Sequence, residues 1–255
     1  MILLQEDAPL SLNDLQRDFR TKWPDLPPPT GASEDGATLS FRTGSAEIIV
    51  GRMPAPVPWS DLEDPCVTSI LWPKATDELK GHAAHLIVTV SGDLGPVDLA
   101  VLLTKATASV ASTCAAALGV YWSNAPLVIP KNVFIEFAEK VLPHGPPLDI
   151  WIDFRVGRRT DRSSSGFTSG MAALASLEFE VVESPETPSE LRERLVELAR
   201  YVVENGPVLK DGDSVGRNAR ERIRVRYSKS TFGRAGRVMR LEYEQSPSKP
   251  WWKLW

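Results

Sequence analysis

The sequence is poor in the residues that build redox and metal sites, with two cysteines, Cys66 and Cys114, and three histidines in 255 residues. Two distant thiols argue against a disulfide framework and for a reducing cytoplasm. His82 and His85 could pair with a cysteine on zinc, yet no second paired spacing follows. They read as a helix end and a strand start, and no metal or cofactor is expected. No uninterrupted apolar run approaches the roughly 18 residues of a spanning helix, so no membrane span is expected. The opening "MILLQEDAPL" reaches Glu6 and Asp7 after a short apolar run, which is too brief and too acidic for a secretion signal. A Gly-x-Ser-x-Gly nucleophile elbow is also missing, since "GFTSG" lacks serine at its centre.

What is present is globular. Hydrophobic residues make up 42% and charged residues 24%, enough for one large domain or two small ones. The net charge of -4 hides an asymmetry. Arg217, Arg220, Arg222, Arg224, Arg226, Lys229, Arg234, Arg237 and Arg240 have only Glu221 as acidic company, so the chain upstream is distinctly acidic.

Periodicity gives an α+β chain. A strand at 2–5, a helix capped by Ser11, strands near 38–41 and 46–50, a short helix near 75–79 and the strand "HLIVTV" follow one another. The polar "GASEDG" reads as loop, and the proline-broken "MPAPVPW" carries no element. This β-α-β-β-α-β order is ferredoxin-like. A long helix near 97–118, the strands of "GVYW" and "PLVIP", and a helix near 132–141 follow. "LDIWIDFRVGR" alternates as a strand, "RSSSG" reads as a loop and "LEFEVVE" as a strand. Thr187, Pro188 and Glu190 form a capping box for a helix burying Leu191, Leu195, Leu198, Ala199 and Val202. The expectation is two packed ferredoxin-like lobes with mainly antiparallel sheets, over residues 1–95 and 96–245, with a tryptophan-rich tail at 246–255.

The stretch "LKDGDSVGR" tests badly as a cation loop, because Val215 and Arg222 stand where an EF-hand counted from Asp211 needs ligands. It also lacks the Gly-x-x-x-x-Gly-Lys spacing of a phosphate loop. It reads as a tight turn, with Asp211 and Asp213 bonding backbone and glycine supplying positive φ. In "RIRVRY", Arg222, Arg224 and Arg226 fall on one strand face and Ile223, Val225 and Tyr227 on the other. The cationic face is either solvated and partly paired or a site for an anion or acidic protein. Missing RNP-type aromatics speak against nucleic acid. Arg155, Arg158, Arg159 and Arg162 form a second basic cluster. In "SPSKPWWKLW", Trp251, Trp252 and Trp255 need an apolar surface, on this chain, on a partner or at a membrane interface.

The segments "PWSDLEDPC", "HAAHLIVTV", "ALGVYWSNA", "IWIDFRVG", "TSGMAALASLEFEV" and "VLKDGDSVG" resemble a bacterial family described as domain of unknown function 4261. The likeness runs from about Val57 to Tyr243 and is strongest between Ile150 and Gly216. Gly170–Met171, Glu178–Glu180 and Asp211–Gly212–Asp213 carry it, while Ser214 and Val215 stand where Thr and Ile are expected. The resemblance implies a cytoplasmic bacterial protein and brings no reaction with it. The expected function is a non-enzymatic protein-binding, accessory or immunity-type module that takes an acidic partner. The alternative is a small-molecule or phosphate-ester enzyme using Asp211, Asp213 and Arg217.

Overall fold

The computed structural model describes residues 1–217 and 221–243. The fold is α+β and the chain divides into two units, residues 1–153 and a second beginning at Phe154.

The first unit contains β1 (Ile2–Leu4), α1 (Leu12–Lys22), β2 (Thr30–Asp35), β3 (Thr38–Thr43), β4 (Ala46–Met53), α2 (Trp59–Thr68) and α3 (Ala75–Leu79). It continues with β5 (Ala84–Ser91), α4 (Pro96–Thr113), β6 (Ala117–Trp122), β7 (Leu127–Pro130), α5 (Lys131–Glu136) and α6 (Leu148–Trp151). The strands form one antiparallel sheet in the order β2-β3-β4-β5-β1-β6-β7. Ile2, Leu3 and Leu4 are all buried, so β1 is covered on both faces.

Ser11 starts α1 by accepting a hydrogen bond from the Asp14 amide at 3.2 Å, and Leu15 and Phe19 form its buried stripe. Phe19 meets Phe41 of β3 edge to face at 5.3 Å. Its burial contributes about 2 kcal/mol or more. The small residues Ala106 to Ala111 of α4 are buried, and beside them Trp23 donates to the Lys105 carbonyl at 3.1 Å and the Ser109 hydroxyl at 3.0 Å. On the other side Leu3, Leu62, Cys66, Trp72 and Leu79 share a cluster with Tyr121 and Val128.

The order read from sequence is not the one observed: β1-α1-β2-β3-β4-α2-α3-β5 adds the edge strand β2 and helix α2, and the strand order is not the interleaved one of a split β-α-β unit. β3, β4 and β5 run as a meander, and β5 lies between β4 and β1. The unit boundary also differs from the one read near residue 95. β6 pairs with β1 and α4 packs beside α1, so residues 96–153 complete the first sheet and its cover.

The second unit contains β8 (Asp153–Thr160), β9 (Ser163–Ser169), β10 (Phe179–Ser184), α7 (Pro188–Asn205), β11 (Ser214–Val215), β12 (Ile223–Lys229) and β13 (Arg237–Tyr243). Its sheet order is β11-β12-β13-β10-β9-β8, with β10 and β13 parallel. Thr187 accepts from the Glu190 amide while Glu190 accepts from the Thr187 amide at 2.9 Å, so the capping box read from sequence forms. Leu191, Leu195, Ala199, Val202 and Val203 make the buried stripe of α7, with Arg194 among them and Leu198 only half-buried.

Several segments differ from their sequence reading. The serines and glycine of "RSSSG" lie in β9, whose serines hide any alternation. Its Gly166 is required because a Cβ there would stand 2.8 Å from the Arg155 carbonyl and 3.4 Å from Leu191 of α7. "LDIW" is a helical turn rather than strand, introduced by Pro146 and Pro147, with Trp151 donating to Thr104 at 2.8 Å. The polar 30–35 stretch is an exposed edge strand, where solvated side chains suit a strand that leaves one ladder unpaired. Among the described residues no helix is long and apolar enough to cross a membrane.

Candidate functional site

Three acidic stretches of the second unit each hold a loop. In the first, Glu178 accepts from the Gly170 amide at 2.8 Å, the Ala172 amide at 3.2 Å and the Thr168 hydroxyl at 2.7 Å. This fixes the 3-10 turn Met171–Leu174 against β9. In the second, Glu180 is fully buried and accepts from the Thr231 amide at 2.9 Å and from the Ser230 hydroxyl. The β12–β13 loop is thereby folded back onto the sheet. Arg234 from that loop lies 4.1 Å over the Phe167 ring and donates to the Thr168 carbonyl at 2.8 Å.

The third stretch is the turn at Lys210–Asp213. The Asp213 amide donates to the Lys210 carbonyl at 3.1 Å, and Gly212 adopts φ +91°, which fits a type II turn with glycine at its third position. Asp213 accepts from the Lys210 amide at 2.7 Å, and Asp211 accepts from the Tyr227 amide of β12 at 2.7 Å. The turn is stitched to β12 by two backbone bonds as well, Gly212 to Val225 at 2.9 Å and Val225 to Asp213 at 2.8 Å. Arg217 has other partners. Its guanidinium donates to Glu197 at 2.9 Å and its amide to Glu221 at 2.7 Å. The bond to Glu197 holds the Arg217 pKa above its ordinary value.

Strand β12 separates its side chains by face. Ile223 and Val225 are buried, Arg222 and Arg226 are exposed, and Arg224 is half-buried. In register, Arg224 stands opposite Glu242, and Arg226 opposite Arg240. Arg226 also approaches Glu242 to 3.9 Å with both side chains 48% exposed, a loose and well-solvated pair. Arg240 donates to the Thr231 hydroxyl at 2.6 Å, while its Nε is buried with no partner among the described residues. Trp251, Trp252 and Trp255 lie outside the described residues.

Two features were missed in the sequence. The first is Arg194, buried in α7 and clamped between Glu186 and Glu221. Its Nε donates to Glu186 at 2.8 Å and its Nη1 to Glu221 at 3.2 Å, and the Tyr243 hydroxyl also donates to Glu186. Burial alone would push Glu186 up. The bonds from Arg194 and Tyr243 outweigh it and hold the carboxyl below its ordinary value. Burial would likewise lower Arg194, but its Glu186 bond raises it, so both groups stay charged at neutral pH. The signal was available, because Arg194 follows Leu191 by three residues on the apolar stripe of α7.

The second is an apolar cavity of about 300 Å³ lined by Ala175, Leu177, Val202, Leu209, Tyr227 and Met239, with Ser176 and Pro207 at its wall. Tyr227 donates its hydroxyl to the Leu209 carbonyl, fixing one side. Ala175, at φ +58°, is the described non-glycine residue in the left-handed region, where local strain is held by surrounding structure. Nothing in the sequence pattern brings these four segments together.

The thiols and imidazoles serve the first unit. His82 accepts from the Val57 amide at 2.9 Å through Nε2 and donates from Nδ1 to the Leu79 carbonyl at 2.7 Å, so both ring nitrogens are used. Burial raises the Cys66 thiol to about 11 and pushes Cys114 up as well. Neither supplies much thiolate at neutral pH.

The second unit is thus a mixed, mainly antiparallel sheet backed by one long helix, with loops pinned by carboxylates, a basic strand face and an apolar cavity. Residues 167–242 match the model of the family "Domain of unknown function (DUF4261)", and the resemblance seen in the sequence holds over that region. No curated protein and no solved structure matches the chain.

Proposed function

We propose that this chain is a cytoplasmic protein-binding module of accessory or immunity type that takes an acidic partner on the outer face of β12 and β13. The observation that carries this reading is the juxtaposition of Arg226 and Arg240 across the ladder beside exposed Arg222. Like charges directly opposite one another destabilise a strand pair, and an incoming carboxylate relieves that repulsion. The loose contact to Glu242 leaves the Arg226 charge available. A cluster of this kind steers an acidic surface and sets register, with an effect that weakens as salt is raised.

The test is a titration of the full chain with a fluorescent poly-glutamate peptide. Wild type is expected to bind more weakly as ionic strength rises. The double variant Arg222→Glu, Arg226→Glu is expected to lose at least about tenfold in affinity, from two charge reversals near the contact. Both side chains are exposed, so the melting temperature should move by no more than about 2 °C. Equal binding by the variant and wild type would overturn the reading.

A further inference from the structure

The cavity at the end of α7 lies on the sheet face opposite the arginines. Tyr227 pairs with Met239 and Arg226 with Arg240, and successive strand residues point to opposite faces. The cavity therefore stands independently of the reading above. Its walls are held by hydrogen bonds. The Ala175 amide donates to the Ala172 carbonyl at 3.2 Å and the Ser176 amide to the Met171 carbonyl at 3.1 Å, so the 175–177 wall keeps its left-handed bend. Beside Pro207 the Val208 amide closes a tight turn on the Gly206 carbonyl at 2.7 Å, and the Tyr227 hydroxyl ties β12 to Leu209. The Met239 amide donates to the Glu178 carbonyl at 2.8 Å, which joins β13 to the end of the first wall. Walls pinned in this way keep their shape before a ligand arrives, as those of most ligand pockets do.

At about 300 Å³ the cavity is at the lower end of ligand pockets and has about twice the volume in which an apolar cavity holds benzene. Two fused rings fit that space. Among the described residues, no Asp, Glu, Lys, Arg or His side chain lines it. An ionised occupant would lose its hydration there and gain no counter-charge. The lining favours an aromatic one, since the Met239 thioether and the Tyr227 ring both make favourable contacts with an aromatic ring. One wall hydroxyl is left for a polar atom. Ser176 reaches the Leu177 carbonyl at 3.5 Å, the outer limit of a hydrogen bond, while the Tyr227 hydroxyl has committed its proton to Leu209. A hydroxyl on the ligand accepts from Ser176. We infer that the cavity between α7, Leu209 and strands β12 and β13 binds a neutral, planar aromatic molecule of two fused rings bearing one hydroxyl group. Such a ligand touches segments far apart in sequence, 175–177, α7, 207–209 and the β12–β13 pair, and ties them together.

The experiment titrates the full chain with 2-naphthol by calorimetry, and with 2-naphthoate as an anion of similar shape. Naphthol is expected to bind with a dissociation constant of about 100 μM or tighter, within the ligand efficiency of so small a molecule. Naphthoate should bind at least about tenfold more weakly, for want of a counter-charge. Val202→Phe narrows the cavity and should lower naphthol affinity at least about tenfold. Leu177→Phe, at the half-buried wall, takes its place if the first variant does not fold. Ser176→Ala should weaken naphthol at least about threefold and leave naphthalene unchanged. In protein labelled at its methionine methyls, the Met239 signal, assigned from Met239→Leu, should shift on binding, while those of Met1 and Met53 in the first unit stay in place. That readout needs no cavity-filling variant. No naphthol uptake by wild type would overturn the inference. So would equal binding of naphthoate, naphthol affinity untouched by Ser176→Ala, unchanged uptake by a folded cavity-filling variant, or shifts confined to Met1 and Met53.

Discussion

Replacing Arg194 by methionine is expected to cost about 3 kcal/mol of stability at neutral pH, read as the shift in urea denaturation of the full chain. The guanidinium is 5% exposed and neutralises Glu186, whose side chain is 14% exposed, and Glu221 at 27%. Methionine fills much of the volume but leaves a buried carboxylate at Glu186 without its cation. Glu221 keeps enough water to moderate the loss, which places the expected cost at the lower end for a broken buried pair. The sign of the pH dependence follows from Glu186. Its folded pKa lies below the ordinary 4.5, so its contribution is fully present above that value and is lost as pH falls through the folded pKa. In the methionine variant the cation that depresses Glu186 is gone and burial raises its pKa. The stability gap to wild type should therefore shrink at about pH 4 as Glu186 protonates. A gap that is unchanged between neutral and acid pH would show that packing, not charge, is what Arg194 supplies.

Gly119→Ala is expected to destabilise the first unit by about 3 kcal/mol, a large value for one methyl group. A Cβ at this position on β6 would stand 2.3 Å from the Trp72 ring and 2.5 Å from the Ile129 carbonyl. The carbonyl belongs to the adjacent strand β7 and Trp72 is itself held, with its indole N–H donating to Glu78 at 2.7 Å. Neither neighbour yields cheaply, so the β6–β7 ladder must open. Thermal unfolding followed by tryptophan fluorescence should show the first unit melting at least about 6 °C lower. Gly81→Ala is the control, since a Cβ there meets nothing within 4 Å and the melt should hardly move.

The parts of this fold that were legible in the sequence are those governed by neighbours along the chain. The capping box of α7 needs only Thr187, Pro188 and Glu190 in order. The alternation of "RIRVRY" gives a strand with buried Ile223 and Val225, and "LKDGDSVG" gives its turn because Gly212 must take positive φ. What escaped depends on distant partners. β9 is too rich in serine to alternate, and Gly166 is explained by the close approach of Arg155 and Val156 on the neighbouring strand β8. Helix α2 hides behind prolines, with Pro65 inside it. The order of the first sheet is set by β5 and β6 closing on the short β1, which no local pattern encodes. The place of Arg194 on the apolar stripe of α7 is local, but its partners Glu186 and Glu221 come together around it only in the fold.

The same contrast bears on four acidic residues of the region that matches the family model. Glu178, Glu180, Asp211 and Asp213 lie in the stretches that carry the resemblance; Glu178, Glu180 and Asp213 accept from backbone amides of loops and turns, and Asp211 from the Tyr227 amide of β12. A carboxylate bonded to amides lends itself to shaping a surface.

The direct measurement is a thermal melt of wild type and Asp213→Asn, each alone, with magnesium or calcium ions, and with inorganic phosphate. If Asp213 holds the turn, the variant melts lower in every condition and neither metal nor phosphate moves the wild-type midpoint. A metal- or phosphate-dependent rise in the wild-type midpoint that Asp213→Asn removes would contradict this account, placing a ligand on the turn and favouring the enzyme built on Asp211, Asp213 and Arg217.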